Sequence, residues 1–141
     1  MVFLCFAQFA IRSPQSVIRV FIRRTILRAK QLALLAKDAC EDKKGEDILV
    51  LDVKKLSTVV DYFVICSGSS SRHVKAIAEN VVDFLDEKKV DCNHKEGLLE
   101  SNWVLLDYGD VMIHVFHPET RQFYNLERLW GEAKPLIGEV N

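Results

Sequence analysis

The sequence has few of the features that cross-link a fold, bind a metal or cross a membrane. Its four cysteines form no C-x-x-C pair, so neither a disulfide framework nor a cysteine zinc site is indicated. The apolar stretch 1–11 has eleven residues, whereas a membrane-spanning helix needs about 20. The sequence also contains no P-loop, no G-x-G-x-x-G and no G-x-S-x-G, so the common nucleotide-binding and hydrolase signatures are missing.

Acidic residues are absent from the first quarter of the chain. Residues 1–37 carry seven basic and no acidic side chains, and the remainder carries 12 basic and all 20 acidic ones, a net charge of −8. Nucleic-acid binding draws much of its affinity from Lys and Arg, so the acidic part favours a basic protein partner instead. Residues 1–28 are predicted to be a basic N-terminal extension, which is a tail, a mis-started segment or an organelle transit peptide.

Hydrophobic periodicity predicts one α/β domain over residues 29–134, followed by a C-terminal tail, 135–141. We expect a mixed sheet of about five strands flanked by helices. The predicted helices cover residues 17–42, 71–89 and 119–130, and the predicted strands cover 48–53, 62–66, 93–97, 103–107 and 111–116. The second helix has the clearest pattern, since its apolar residues recur at i, i+3, i+4, i+7, i+8 and i+11 from Val74.

The turn 67–70, with sequence SGSS, lies between a predicted strand and a predicted helix. Such a turn can bind phosphate through backbone N–H groups, so a nucleotide-binding or nucleotidyl-transferring enzyme is an alternative interpretation. That chemistry also needs two carboxylates on one strand face to share a metal ion, and no two acidic residues here are separated by a single residue. A well-capped helix start explains the turn more simply.

Histidine and cysteine spacing predicts neither a metal site nor a cofactor. His114 and His117 are three apart in a predicted strand and would face opposite ways. Cys92 and His94 would share a face, but two ligands do not make a site.

The predicted hairpin offers a surface for a partner. Trp103, Leu105 and Asp107 alternate onto one strand face, and Met112, His114 and Phe116 do so on the next strand. If the two faces coincide, the result is an aromatic, Met-containing patch with an acidic rim, a composition typical of interface cores. An equally consistent interpretation is that Trp103 is a core residue under a helix.

Five segments resemble the ribosomal silencing factor (Iojap) family over about residues 30–132. They are GEDILVLDV at 45–53, DYFVICSGSSSRHV at 61–74, WVLLDYGDV at 103–111, HVFHPE at 114–119 and FYNLERLWG at 123–131. The resemblance implies a nucleotidyltransferase-like fold without the catalytic carboxylates, and a non-enzymatic translational repressor. It implies docking on ribosomal protein fourteen of the large subunit, with Trp103 carrying the contact, so that the two ribosomal subunits cannot associate.

We further expect a monomer or weak homodimer, with little or no direct nucleic-acid binding because of the acidic net charge, and no membrane attachment because the apolar stretch 1–11 is short. The expected location is the cytoplasm. The family also occurs in mitochondria and plastids, which is the alternative if residues 1–28 are a transit peptide.

Overall fold

The computed structural model describes residues 28–138. Its elements, in chain order, are α1 (Ala29–Asp42), β1 (Glu46–Asp52), β2 (Tyr62–Ser67), α2 (Ser71–Glu87), β3 (His94–Glu96), β4 (Trp103–Asp107), β5 (Val111–Phe116), α3 (Pro118–Tyr124), α4 (Leu126–Leu129) and β6 (Lys134–Ile137). The α/β class and the mixed sheet predicted from the sequence are confirmed. The part of predicted helix 17–42 before residue 28 lies outside the described residues.

All six described strands form one sheet in the order β3-β4-β5-β2-β1-β6. β2 and β5 are parallel, and the other neighbouring pairs are antiparallel. The parallel pair lies in the middle and is buried on both faces, as its continuous apolar runs predict. The described helices are too short or too polar to cross a membrane.

One face of the sheet is covered by α1 and α2. Alternate residues of the central strands, such as Val64 and Ile113, pack there against Val74, Ile77 and Val81 of α2. The helix begins at Ser70, whose Oγ accepts a hydrogen bond from His73 N–H (3.1 Å). Because its apolar residues lie on one stripe, α2 buries that stripe against the sheet and leaves its acidic side in solvent.

The opposite face is covered by the connection after β1 and by the short helices α3 and α4. The residues buried there include Phe63, Leu105 and Phe116 of the sheet together with Leu126 of α4. Trp103 and Trp130 are half-buried at this second core. This face is the one that carries the residues predicted to bind a partner.

Two details differ from the sequence prediction. The sheet has six described strands, because residues 134–137 pair with β1 as an edge strand; the segment 135–141 was expected to be a tail, and its first three residues belong to β6. The predicted helix 119–130 is interrupted at Asn125, whose φ of 45° is left-handed and ends α3. The nucleotidyltransferase-like relation implied by the resemblance stays a prediction.

Candidate protein-interaction surface

The two predicted strand faces coincide. Antiparallel pairing places Trp103 opposite Phe116, Leu105 opposite His114, and Asp107 opposite Met112. Residues paired across antiparallel strands project to the same side of the sheet. The hairpin therefore brings all six predicted residues together on the face covered by the short helices.

Five of these six side chains are buried, which corrects the prediction that they form an exposed patch. Leu105 and Phe116 belong to the second core, as does Met112. Asp107 is buried and accepts a hydrogen bond from Gly109 N–H (2.8 Å), so it shapes the β4–β5 turn and forms no acidic rim. Trp103 is the one residue of the six that is not buried.

Trp103 contacts three neighbouring side chains. Its ring stacks on Phe116, with centroids 5.0 Å apart, and contacts Tyr124 of α3 at 4.8 Å. Its Nε1–H donates a hydrogen bond to Nδ1 of His114 (3.1 Å). Both sequence interpretations therefore contribute: one side of the indole packs on the core, and the other side is accessible.

His114 is a fully buried polar ring in an aromatic cluster. Phe63 meets it edge-on at 5.2 Å, and Phe116 lies nearly parallel to it at 6.0 Å. Burial lowers the pKa of His114 to about 3. The ring is therefore neutral near neutral pH, which its role as a hydrogen-bond acceptor requires.

The accessible side of Trp103 faces a groove of about 330 Å³, here called the Trp103 groove. Thr120 and Tyr124 lie four apart on α3 and so share a helix face, while Trp103 and Leu105 share a strand face. The groove is lined by Glu96, Gly97, Glu100, Asn102, Trp103, Leu105, Thr120 and Tyr124. Its lining combines the aromatic rings of Trp103 and Tyr124 with two acidic residues, Glu96 and Glu100.

The loop between β3 and β4 sets the shape of this groove. Gly97 has a φ of 83°, and a Cβ there would lie 2.0 Å from the carbonyl oxygen of Trp103. Ser101 tightens the loop by donating its N–H to Gly97 O (2.8 Å) and its hydroxyl to Leu98 O (2.7 Å). Only glycine fits at position 97, because the loop crosses directly over the Trp103 backbone.

Two large apolar side chains are exposed next to residues that line the groove. Leu99, between two lining residues, is 99% exposed, and Phe123, in ring contact with Tyr124, is 81% exposed. Exposed apolar groups gathered around a pocket mark interaction sites more often than singly scattered ones do. This surface, with its two carboxylates, fits an apolar and basic partner.

The contribution of α3 and of the β3–β4 loop to the groove was not predicted from the sequence. The spacing of Thr120 and Tyr124 was a visible signal of a shared helix face. Their position beside Trp103 depends on how α3 packs after β5, which periodicity alone does not give. Glu96 and Glu100 replace Asp107 as the acidic groups of the surface.

The turn 67–70 uses its hydrogen-bonding groups within the protein. Gly68 N–H donates to Phe116 O (2.9 Å), and Ser69 N–H donates to Nδ1 of His73 (2.8 Å). A Cβ on Gly68 would lie 2.7 Å from the backbone nitrogen of Val74. The glycine therefore allows α2 to approach the strand end closely.

Side chains around the turn are engaged in the same way. The hydroxyl of Ser67 accepts from the Arg121 guanidinium (2.9 Å), which also pairs with Glu127. Nε2 of His73 is 2.7 Å from Lys43 O. Within residues 28–138, no group of three or more His, Cys, Asp or Glu side chains is arranged to hold a metal ion.

The fold and this surface define an α/β domain with an aromatic groove suited to binding a protein. The family model described as "Ribosomal silencing factor during starvation" matches residues 27–141. The chain belongs to this family. Membership supports a ribosome-associated silencing role and places the protein in translation regulation.

Relatives from bacteria and plastids agree with this assignment. The chain is 48% identical over 107 residues to ribosomal silencing factor RsfS of Bacillus subtilis, covering 76% of this chain and 91% of that protein. It is 38% identical to the chloroplastic protein Iojap of Zea mays, covering 72% of this chain and 44% of that longer protein. A crystal structure of a Chromobacterium violaceum protein aligns with a TM-score of 0.74 at 40% identity, covering 79% of this chain and 95% of that one.

Proposed function

We propose that this protein represses translation by docking on ribosomal protein fourteen of the large subunit, where it sterically blocks association with the small subunit. It acts without catalysing a reaction. The observation that carries the proposal is the Trp103 groove, which offers a half-exposed indole, together with the exposed apolar side chains next to its lining residues. The family resemblance supplies the identity of the partner.

Trp103 has the properties of an interface anchor. It is a large aromatic group that is already ordered by Phe116, Tyr124 and His114, so little side-chain entropy is lost on binding. Tryptophans in such positions often contribute 2 kcal/mol or more to binding. The carboxylates of Glu96 and Glu100 favour a partner with a basic surface.

The contacts of the turn 67–70 support a binding protein over the alternative nucleotide-processing enzyme. Two of its N–H groups are already donated to protein acceptors, and the pair of alternating carboxylates that would share a metal is absent from the sequence. A thermal-shift measurement with ATP and magnesium separates the two functions. A ligand at 100 times its Kd adds about 2.7 kcal/mol of stability, and we expect no shift.

The location that fits the bacterial relatives is the cytoplasm, with an organelle as the alternative for a chain whose first 28 residues act as a transit peptide. The chloroplastic relative makes that alternative concrete. Fluorescent fusions of the full chain and of a chain starting at Leu27 distinguish these locations in the native cell.

The decisive test replaces Trp103 by Ala. Large subunits and purified ribosomal protein fourteen from Bacillus subtilis serve as partners. We expect docking to weaken at least about 30-fold, which is about 2 kcal/mol, and the block on subunit joining to disappear. Because Trp103 is half-buried, we also expect a moderate drop in the melting temperature.

Trp130→Ala is the matched control. Trp130 is also half-buried, packs on the same core against Phe63 (5.1 Å) and does not line the groove. We expect it to lower the melting temperature and leave docking unchanged. Equal loss of docking in the two variants would mean that destabilisation, and not the anchor, explains the Trp103 result.

A further inference from the structure

We propose that His114 is a positioning residue, whose Nδ1 fixes the orientation of Trp103 for docking and does so at a cost to the stability of the fold. This inference rests on the proposed function, because it concerns the same anchor. It assigns a separate role to His114, which is buried and cannot touch a partner.

The hydrogen bond determines which nitrogen of His114 carries the proton. An indole N–H can only donate, so Nδ1 must offer its lone pair to Trp103. The neutral ring then carries its proton on Nε2. No described residue accepts a hydrogen bond from that buried Nε2, and an unsatisfied buried donor lowers stability.

The surroundings of His114 would suit phenylalanine better. Its ring contacts are aromatic, with Phe63 edge-on at 5.2 Å and Phe116 nearly parallel at 6.0 Å. A phenyl ring can make the same contacts without leaving a buried N–H unpaired. Histidine, unlike phenylalanine, supplies a hydrogen-bond acceptor for the indole N–H.

Trp103 needs that acceptor because its packing is incomplete. Phe116 and Tyr124 contact its ring, but the side chain is half-exposed, and ring contacts alone permit more than one orientation. The bond to His114 turns the N–H edge towards the core and leaves the remaining surface at the groove. Without that hydrogen bond, the indole N–H gains a partner only if the ring turns towards water. The Trp103 side chain is then less ordered in the free protein, and restoring its order on binding weakens docking.

Two variants separate positioning from packing. His114→Phe keeps the ring and removes the acceptor, so we expect an equal or higher melting temperature and docking about threefold to tenfold weaker. His114→Asn loses the ring and places a carbonyl oxygen near the position of Nδ1. We expect it to melt at a lower temperature and to dock within about twofold of the original chain. His114→Phe should therefore have the higher melting temperature of the two variants and the weaker docking.

A second measurement does not depend on docking. In a Trp130→Phe background Trp103 is the remaining tryptophan, so fluorescence anisotropy and acrylamide quenching report on it alone. We expect faster local motion and stronger quenching after His114→Phe, and values close to the unsubstituted background after His114→Asn.

The outcomes distinguish this inference from the proposed function. Unchanged anisotropy and quenching after His114→Phe overturn the positioning role, whatever Trp103→Ala does. If Trp103→Ala loses docking but His114→Phe docks normally, the positioning role is wrong and the proposed function stands. If Trp103→Ala itself docks normally, both are wrong.

Discussion

The two faces of the sheet are covered by helices of very different length. On one face, α1 and α2 have 14 and 17 residues and bury a continuous apolar core. On the other, α3 and α4 have 7 and 4 residues and leave a groove beside Trp103. The same sheet thus has one face that is covered by long helices and one face that leaves the Trp103 groove open, where we propose that a partner binds.

Both cores contain buried polar groups, but in different settings. The described residues buried in the core under the long helices are apolar except for tyrosine hydroxyls, such as that of Tyr108, and the thiols of Cys40 and Cys66. The other face contains His114, a buried polar ring in contact with the half-exposed Trp103. Natural proteins accept such local costs where binding benefits from them, so substitutions on the two faces should affect different measurements.

The largest expected effect is on the stability of the long-helix face. Leu85 of α2 is fully buried, and Leu85→Ala should cost about 2–5 kcal/mol of unfolding free energy, a large part of the ~5–15 kcal/mol that a domain usually has. Chemical denaturation measures the change. Docking per folded molecule should stay the same, because Leu85 packs on the sheet face opposite the one that carries Trp103.

Leu129→Ala is the control for this comparison, since Leu129 is 67% exposed on α4. The same truncation there should change stability by less than about 0.5 kcal/mol. If Leu85→Ala were equally harmless, the long-helix face would not be the main source of stability.

The contrast between the faces also explains what the sequence could predict. Strands such as Tyr62–Ser67 and the helix from Ser71 follow from local periodicity, and the structure confirms them with small changes at their ends. Alternation also grouped the residues of each hairpin strand by face, but left open whether the two faces coincide; the register in the structure brings Trp103 together with His114 and Phe116. Period-2 and period-3.6 patterns are local properties, which a sequence shows directly.

Burial of the site residues did not follow from the same patterns. Alternation gives the face on which Asp107 and Met112 lie, but not what covers that face, and here the second core covers both. The break at Asn125 was missed because a left-handed asparagine has no strong sequence signal. Strand β6 was missed because an edge strand containing Pro135 is stabilised by pairing with β1.

His114 gives the groove face a pH dependence of its own. Burial lowers the pKa of His114 to about 3, while an unfolded histidine titrates near 6.5. Between these values the unfolded chain binds the extra proton, so the free energy of unfolding falls as pH falls below about 6.5. We expect the protein to lose about 1.4 kcal/mol from this residue between pH 7.5 and pH 5.5.

The His114→Phe variant isolates this contribution, since it keeps every other titrating group. Urea denaturation at both pH values should show a smaller pH-dependent loss in the variant, by about 1.4 kcal/mol. The same loss in both proteins would mean that other groups cause it and that His114 is protonated without cost in the fold.

Tyr124 should affect docking with little effect on stability. It lines the groove, contacts Trp103 at 4.8 Å and is 47% exposed. We expect Tyr124→Ala to weaken docking about tenfold, or about 1.4 kcal/mol, as measured by titration of purified ribosomal protein fourteen. Gln122→Ala on the same helix, where the side chain is exposed outside the groove, should bind normally; weaker binding there would indicate a general effect of changing α3.

The smallest expected effect concerns charge at the groove. Glu100 lines the groove and is exposed, and Glu87 is exposed on α2, which packs on the opposite face of the sheet. Glu100→Gln and Glu87→Gln therefore each remove one exposed negative charge, the first at the groove and the second away from it. Charges at the rim of an interface act mainly on the association rate. Glu100→Gln should slow association about twofold to threefold at low salt, and the difference should shrink at high salt because of screening. Faster association instead would mean that the groove meets an acidic surface such as ribosomal RNA, which contradicts a basic protein partner.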